Sequence, residues 1–156
     1  MFDEALELWD RLLERGVSTR DVHFNRGYAL MGLGRYEQAA ESSGEALKLD
    51  PEHKESAYNM AVCLLNLGRA VEAQQVALNA FAVHSDYPLL KALMCVLYLC
   101  NGEKIAAGEL RNELMLQNYA IDPYIRERMT VLEQAGQHNV SQKLCQMASV
   151  LDMNTT

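Results

Sequence analysis

The residue types that most often carry out chemistry are sparse in this chain of 156 residues. None of its histidines lies at metal-ligand spacing from a cysteine or a carboxylate. The cysteines form no CxxC pair and lie among apolar residues, which favours buried structural thiols over nucleophiles. We therefore predict no metal, no cofactor and no catalytic residue. The histidines are His23, His53, His84 and His138, and the cysteines are Cys63, Cys95, Cys100 and Cys145.

Two further motif classes are absent from the sequence. Gly32, Gly34 and Arg35 lie between two helical patterns, whereas a phosphate-binding glycine loop needs a strand before it and a helix after it. No GxSxG sequence is present, so a nucleophile elbow is not predicted. We expect a protein that is not an enzyme and that works by interaction.

The elements that would position any functional side chain follow a 34-residue period. Leu33-Gly34-Arg35 returns as Leu67-Gly68-Arg69, and the glycine returns again at Gly102 and Gly136. A fixed period of this length is typical of stacked helical repeats. Small residues also repeat seven positions before and five positions after these glycines, and small residues at fixed places let two helices pack closely. They include Gly27, Ala61 and Cys95 before the glycine, and Ala39, Ala73 and Ala107 after it.

This pattern resembles the tetratricopeptide repeat, with departures at His23, Ser43 and Lys91, where that family usually has a large apolar residue. The fold expected is an all-α, right-handed α-solenoid of about nine helices in a single domain. It comprises a half unit at 2–16 and full units at 20–53, 54–87, 88–121 and 122–153. The predicted helices span 2–15, 20–33, 36–49, 54–67, 70–83, 89–100, 104–118, 124–134 and 140–151, and the end of the chain, 153–156, is expected to fray.

The N-terminal helix carries an apolar stripe at helical spacing, formed by Phe2, Leu6, Trp9 and Leu13. A solenoid end normally has a polar outer face. We therefore expect this helix either to pack against a preceding segment of a longer protein or to mediate self-association. The alternative is that Trp9 simply packs on the next helices.

The resemblance implies that the first helix of each unit lines a concave groove that binds a protein or peptide. Asn25 and Asn59 are one period apart and resemble the asparagine ladder of O-linked N-acetylglucosamine transferases; they could instead be solvated helix residues. The lysine, arginine and asparagine clamp of heat-shock co-chaperones is not matched. The apolar centre could be open to a partner, or covered by the chain's own neighbours or by another domain. The predicted partner-binding residues are Phe24, Asn25, Tyr28, Tyr58, Asn59, Val62, Leu93 and Val96.

Composition limits the class of partner. The formal net charge is −7, with no basic stripe, so we predict no nucleic-acid partner. No apolar run reaches the ~18 residues of a membrane span, and the cysteine usage fits a reduced cytoplasmic protein. The leading hypothesis is a non-catalytic interaction module. One alternative is a substrate-recruiting or targeting segment of a larger enzyme, and another is a secretion-type chaperone that shields an apolar partner.

Overall fold

The computed structural model describes residues 1–153, and these residues form nine α-helices and no strand. The fraying predicted for the end of the chain concerns mainly residues 154–156, which lie outside the described residues. The helices are α1 (Phe2–Glu14), α2 (Arg20–Gly32), α3 (Tyr36–Leu49), α4 (Lys54–Asn66), α5 (Ala70–Phe81), α6 (Pro88–Asn101), α7 (Lys104–Leu116), α8 (Ile121–Gln134) and α9 (His138–Met153).

Each helical hairpin turns at one of the periodic glycines. Gly34 has a φ of 72° and Gly68 a φ of 78°, in the left-handed region that favours glycine. The residue after each glycine closes the turn: the Arg35 amide donates to the Leu30 carbonyl at 2.9 Å, and the Arg69 amide donates to the Leu64 carbonyl at the same distance. Such bonds satisfy carbonyls that the helix end leaves free. The predicted turn positions are confirmed.

The predicted small residues lie at helix contacts. Ala39, Ala73 and Ala107 have no exposed surface. Gly27 on α2 faces α3, where an added Cβ would stand 3.0 Å from the Ser43 hydroxyl. Ser43 departs from the large residue expected there because α2 and α3 pack too closely for a larger side chain at this point.

The start of α8 corrects one prediction. The helix begins at Ile121, three residues before the predicted start, and its N-cap is Ala120. Pro123 is accommodated because the first turn of a helix leaves its amides without helical partners. Asp122 accepts a hydrogen bond from the Arg111 guanidinium of α7 at 3.2 Å. The third and fourth units are therefore joined by an ion pair at this point.

The hydrophobic core is centred on α6. Apart from Lys91, this helix is apolar around its circumference up to Cys100, as expected of a helix buried on most sides. It packs on α5 and α7, on α9, and on the inner helices α4 and α8, and α8 also contacts α4 directly. The superhelix is therefore wound tightly enough for the inner helix α4 of the second unit to contact the inner helix α8 of the fourth unit.

Candidate functional site

The predicted partner-binding residues divide into an open group and a buried group. On α2, Tyr28 is 53% exposed, and Phe24 and Asn25 are half-buried. Tyr58 on α4 is also half-buried. We call these four residues the α2–α4 face.

The other four predicted residues are buried. Asn59 is 6% exposed, Val62 is 2% exposed, and Leu93 and Val96 have no exposed surface. The sequence left open whether the apolar centre is open to a partner or covered by the chain's own neighbours. In the structure the chain itself encloses Val62, Leu93 and Val96, since α8 and α9 pack over α6 and α8 contacts α4.

The two asparagines do not form a matched pair of free amides. The Asn25 side-chain amide donates to the Asp21 carbonyl at 2.8 Å, one turn earlier in α2. The buried Asn59 side chain has no hydrogen-bond partner for its Nδ2. Asn59 therefore keeps a donor unused inside the protein, which is a cost that a bound carbonyl could relieve.

A cluster of tyrosines replaces the expected open groove. The Tyr58 hydroxyl lies 2.9 Å from the Tyr124 hydroxyl of α8. The Tyr87 ring stands edge-on to Tyr58, with the ring centres 6.4 Å apart, and the Lys54 ammonium lies 4.9 Å from the Tyr87 centre. Burial raises the pKa of both Tyr58 and Tyr124, so both hydroxyls stay protonated at neutral pH. The cluster fixes the distance between α4 and α8.

Arg128 on α8 is a second buried polar group in this region. It is 9% exposed, and its guanidinium lies 5.4 Å from the centre of the Tyr124 ring. One terminal nitrogen donates to Glu127 at 2.8 Å, and its Nε has no partner. The guanidinium charge is thus paired, while one of its donors is left over.

A cavity of about 180 Å³ lies where α8 meets the four helices α1 to α4. We call it the junction cavity. Its apolar wall includes Phe2, Tyr28, Met31, Val62 and Val131. Phe2 reaches this place because Gly32 has no side chain: a Cβ there would stand 2.5 Å from the Phe2 ring.

Gly32 and Tyr36 also line the junction cavity, and its amide and its charged residue are Asn66 and Arg128. Asn66 is 2% exposed, and its Oδ1 has no hydrogen-bond partner. Sequence reasoning missed both residues. Asn66 is seven positions after Asn59 and so shares its helix face, and Arg128 occupies the same 34-residue register as Arg26, Met60 and Met94. Because that register already holds an arginine in the first unit, the repeat pattern did not single out Arg128.

The buried thiols are poorly suited to nucleophilic chemistry. Burial raises the pKa of Cys63, Cys95 and Cys100 to about 12. A thiol needs its thiolate form to react, so these three are largely inert near neutral pH. Within the described part of the chain, no helix combines the length and apolar character that a membrane crossing needs.

Comparison with known proteins agrees with the periodicity. The tetratricopeptide repeat family matches in two places, at residues 2–44 and 30–97. The DnaJ homolog subfamily C member 7 homolog of Schizosaccharomyces pombe is 40% identical over 95 residues, which is 55% of this chain and 20% of that protein. The STIP1 homolog of Dictyostelium discoideum is 25% identical over 118 residues, 75% of this chain and 21% of that protein.

The chain is similar to only a segment of each of these relatives. The TPR repeat-containing thioredoxin TTL4 of Arabidopsis thaliana is 32% identical over 74 residues, which is 47% of this chain and 11% of that protein. The chain thus spans about a fifth or less of the curated relatives that it matches.

Solved structures share the fold. MamA superposes with a TM-score of 0.69 at 20% identity, over 99% of this chain and 90% of that one. The Naa15/Naa10 complex bound to HypK-THB gives a TM-score of 0.59 at 17% identity, over 99% of this chain and 22% of that chain. The periodic turns, the buried alanines and these matches lead to one conclusion: the chain belongs to the tetratricopeptide repeat family and is a protein-interaction module built as an α-solenoid.

Proposed function

We propose that the chain binds an extended segment of a partner protein across the α2–α4 face, without catalysing a reaction. The observation that carries this proposal is the 53% exposure of Tyr28 beside the half-buried Phe24 and Tyr58. Aromatic side chains that stay partly exposed on inner helices offer large contact areas at small entropic cost, and such residues dominate binding energy at interfaces.

The proposed face is narrower than the groove that the sequence predicted. Leu93 and Val96 are enclosed by the chain itself, so a partner contacts α2 and the adjoining edge of α4 rather than the centre of the superhelix. Peptide recognition in such a cleft depends on aromatic anchors with a few polar groups that set orientation.

The experiment uses the purified chain to select binders from a displayed library of protein-derived peptides. The selected peptides are then titrated by calorimetry against Tyr28→Ala. The matched control is Leu49→Ala on α3, because Leu49 is 54% exposed but lies on the outer layer. We expect Tyr28→Ala to weaken binding by about 30-fold or more, as for a hot-spot residue of ~2 kcal/mol. If Tyr28→Ala binds like the wild type while Leu49→Ala or Glu41→Lys abolishes binding, the outer face carries the function.

A second candidate function is recruitment of substrates to an enzymatic domain of a longer protein. It is supported by the likeness to a segment of a TPR repeat-containing thioredoxin and by the small share of each relative that the chain spans. The reading frame around the coding sequence tests it: a catalytic motif in flanking sequence supports the recruiting role, and a frame that encodes these repeats alone contradicts it.

A further inference from the structure

We propose that the junction cavity is an anchor pocket for one large apolar side chain of a partner protein, whose adjoining peptide group bonds Asn66 and Arg128. This inference deepens the proposed function and rests on it, because Tyr28 belongs both to the α2–α4 face and to the cavity wall. A segment lying on that face can therefore direct a side chain into the cavity.

The size of the cavity selects the side chain. A volume of about 180 Å³ is close to that of engineered apolar cavities of ~150 Å³ that hold a benzene ring. The wall is apolar and partly aromatic, with Phe2, Tyr28 and Val131 on three different helices. A phenylalanine or leucine side chain fits this volume, whereas a charged side chain would lose its hydration without a countercharge.

The two unpartnered polar atoms select what accompanies that side chain. Asn66 Oδ1 is an acceptor without a donor, and Arg128 Nε is a donor without an acceptor. A peptide group carries one N–H donor and one C=O acceptor, which is the complement of this pair. Both protein atoms are enclosed in the free protein, so a side-chain rotation accompanies binding.

The charge around Arg128 favours a neutral acceptor. Glu127 already accepts a hydrogen bond from the guanidinium at 2.8 Å, so the positive charge is compensated. A peptide carbonyl can accept from Nε without adding charge. A free carboxylate would bring a second negative charge to a guanidinium whose charge Glu127 already compensates. The pocket therefore recognises an internal peptide segment rather than a chain terminus.

The probe is N-acetyl-phenylalanine methylamide, which contains the aromatic ring together with a peptide N–H donor and a peptide C=O acceptor. Its titration into the isotopically labelled chain is followed by NMR. We expect saturable shifts at Phe2, Tyr28, Val131 and the Asn66 and Arg128 side chains, with millimolar affinity. N-acetyl-alanine methylamide lacks the ring, and toluene lacks the amide, so both should bind at least several-fold more weakly. N-acetyl-phenylalanine with a free carboxylate should also bind more weakly.

Variants separate the cavity from its surroundings. Val131→Phe fills the cavity and should weaken binding of the probe at least tenfold. Asn66→Leu removes the acceptor and should weaken it about three- to tenfold, as expected for one hydrogen bond. Ser43→Ala is the matched control, because Ser43 is another buried residue with an unpartnered side-chain atom but does not line the cavity. It should bind the probe like the wild type. Circular dichroism checks that each variant is folded.

Several outcomes would overturn the anchor pocket. They are the absence of saturable shifts at the cavity in the wild-type chain, equal binding of toluene, or tighter binding of the free carboxylate. The proposed function fails separately. If displayed peptides bind through Tyr28 and keep their affinity in Val131→Phe, the α2–α4 face stands without the anchor pocket. If the probe binds in the cavity but no displayed peptide is selected, the cavity's affinity for a ring with its amide stands, whereas the peptide-binding face and the anchoring role do not.

Discussion

The hydroxyls of Tyr58 and Tyr124 lie 2.9 Å apart, although the two tyrosines are 66 positions apart in the chain. Tyr58 belongs to α4 and is half-buried, whereas Tyr124 belongs to α8 and is 7% exposed. The bond connects the second repeat directly to the fourth. The two residues that share the bond therefore differ in how deeply they are buried.

That difference predicts unequal effects of removing each hydroxyl. Tyr58→Phe leaves the buried Tyr124 hydroxyl without a partner and should destabilise the chain by ~1–3 kcal/mol. Tyr124→Phe leaves the hydroxyl of Tyr58, the less buried of the two residues, without its partner and should destabilise the chain less, by ~0.5–1.5 kcal/mol. The double variant should lose less stability than the sum of the losses in the two single variants. Urea unfolding measures all three, and equal, additive losses would show that the two hydroxyls do not interact.

The packing of α5 gives a second prediction. Ala73 has no exposed surface, so Ala73→Leu should force side chains or helices apart and destabilise the chain by ~1–3 kcal/mol. The control is Val71→Leu on the same helix, since Val71 is 74% exposed and tolerates a larger side chain. Thermal melts of the two variants compare them directly. An unchanged melting temperature for Ala73→Leu would contradict the helix register.

The ion pair between α6 and α7 gives a third prediction. Lys91 is 5% exposed and its ammonium contacts the Glu113 carboxylate. Glu113→Ala leaves a buried ammonium without its partner and should destabilise the chain by ~1–3 kcal/mol. Lys91→Met restores the apolar residue that the repeat pattern expects and should be neutral or stabilising. Denaturant unfolding tests both, and a larger loss for Lys91→Met than for Glu113→Ala would contradict this account.

These results show which parts of the structure the sequence could predict. The turns at Gly34 and Gly68 and the buried Ala39 and Ala73 depend on contacts within one hairpin or between neighbouring hairpins, and a 34-residue period records those contacts. The exposure of Val62 or Leu93 depends on how far each repeat rotates relative to the last. Small rotations accumulate along the superhelix, so the contact between α4 and α8 has no local signature.

The candidate site shows the same division. The resemblance to the repeat family implied that Phe24, Tyr28 and Tyr58 lie on inner helices, and a family pattern of this kind records the side of the hairpin on which each repeat position lies. The junction cavity involves Asn66 and Arg128 from distant repeats, and only the three-dimensional winding brings them to one place.

The cysteines give a fourth prediction, read by intact mass after alkylation. In the native chain at pH 8, iodoacetamide should modify the exposed Cys145 alone. The other three have a pKa raised to about 12, so their thiolate fraction is on the order of one in ten thousand at that pH. Adding denaturant should bring the count to four adducts, and Cys145→Ser should show none in the native state. A second adduct formed at a comparable rate would contradict the burial of the thiols.

Self-association through α1 remains a prediction. In this helix Leu6 is 7% exposed, while Phe2, Trp9 and Leu13 are half-buried, so part of the apolar stripe already packs within the chain. Leu8 is 52% exposed on the same helix. We expect a concentration-dependent rise in molecular mass by light scattering, and Trp9→Lys should suppress it. A constant monomer mass across the concentration range would contradict it.

The contact between α4 and α8 also determines how the chain comes apart. In a solenoid whose repeats touch only their neighbours, the terminal repeat can unfold while the others remain, because little apolar surface is lost. Here, release of α8 and α9 would break the Tyr58–Tyr124 bond and uncover α6. The terminal hairpin should therefore unfold together with the second and third repeats, and their amides should exchange with deuterium in one cooperative step.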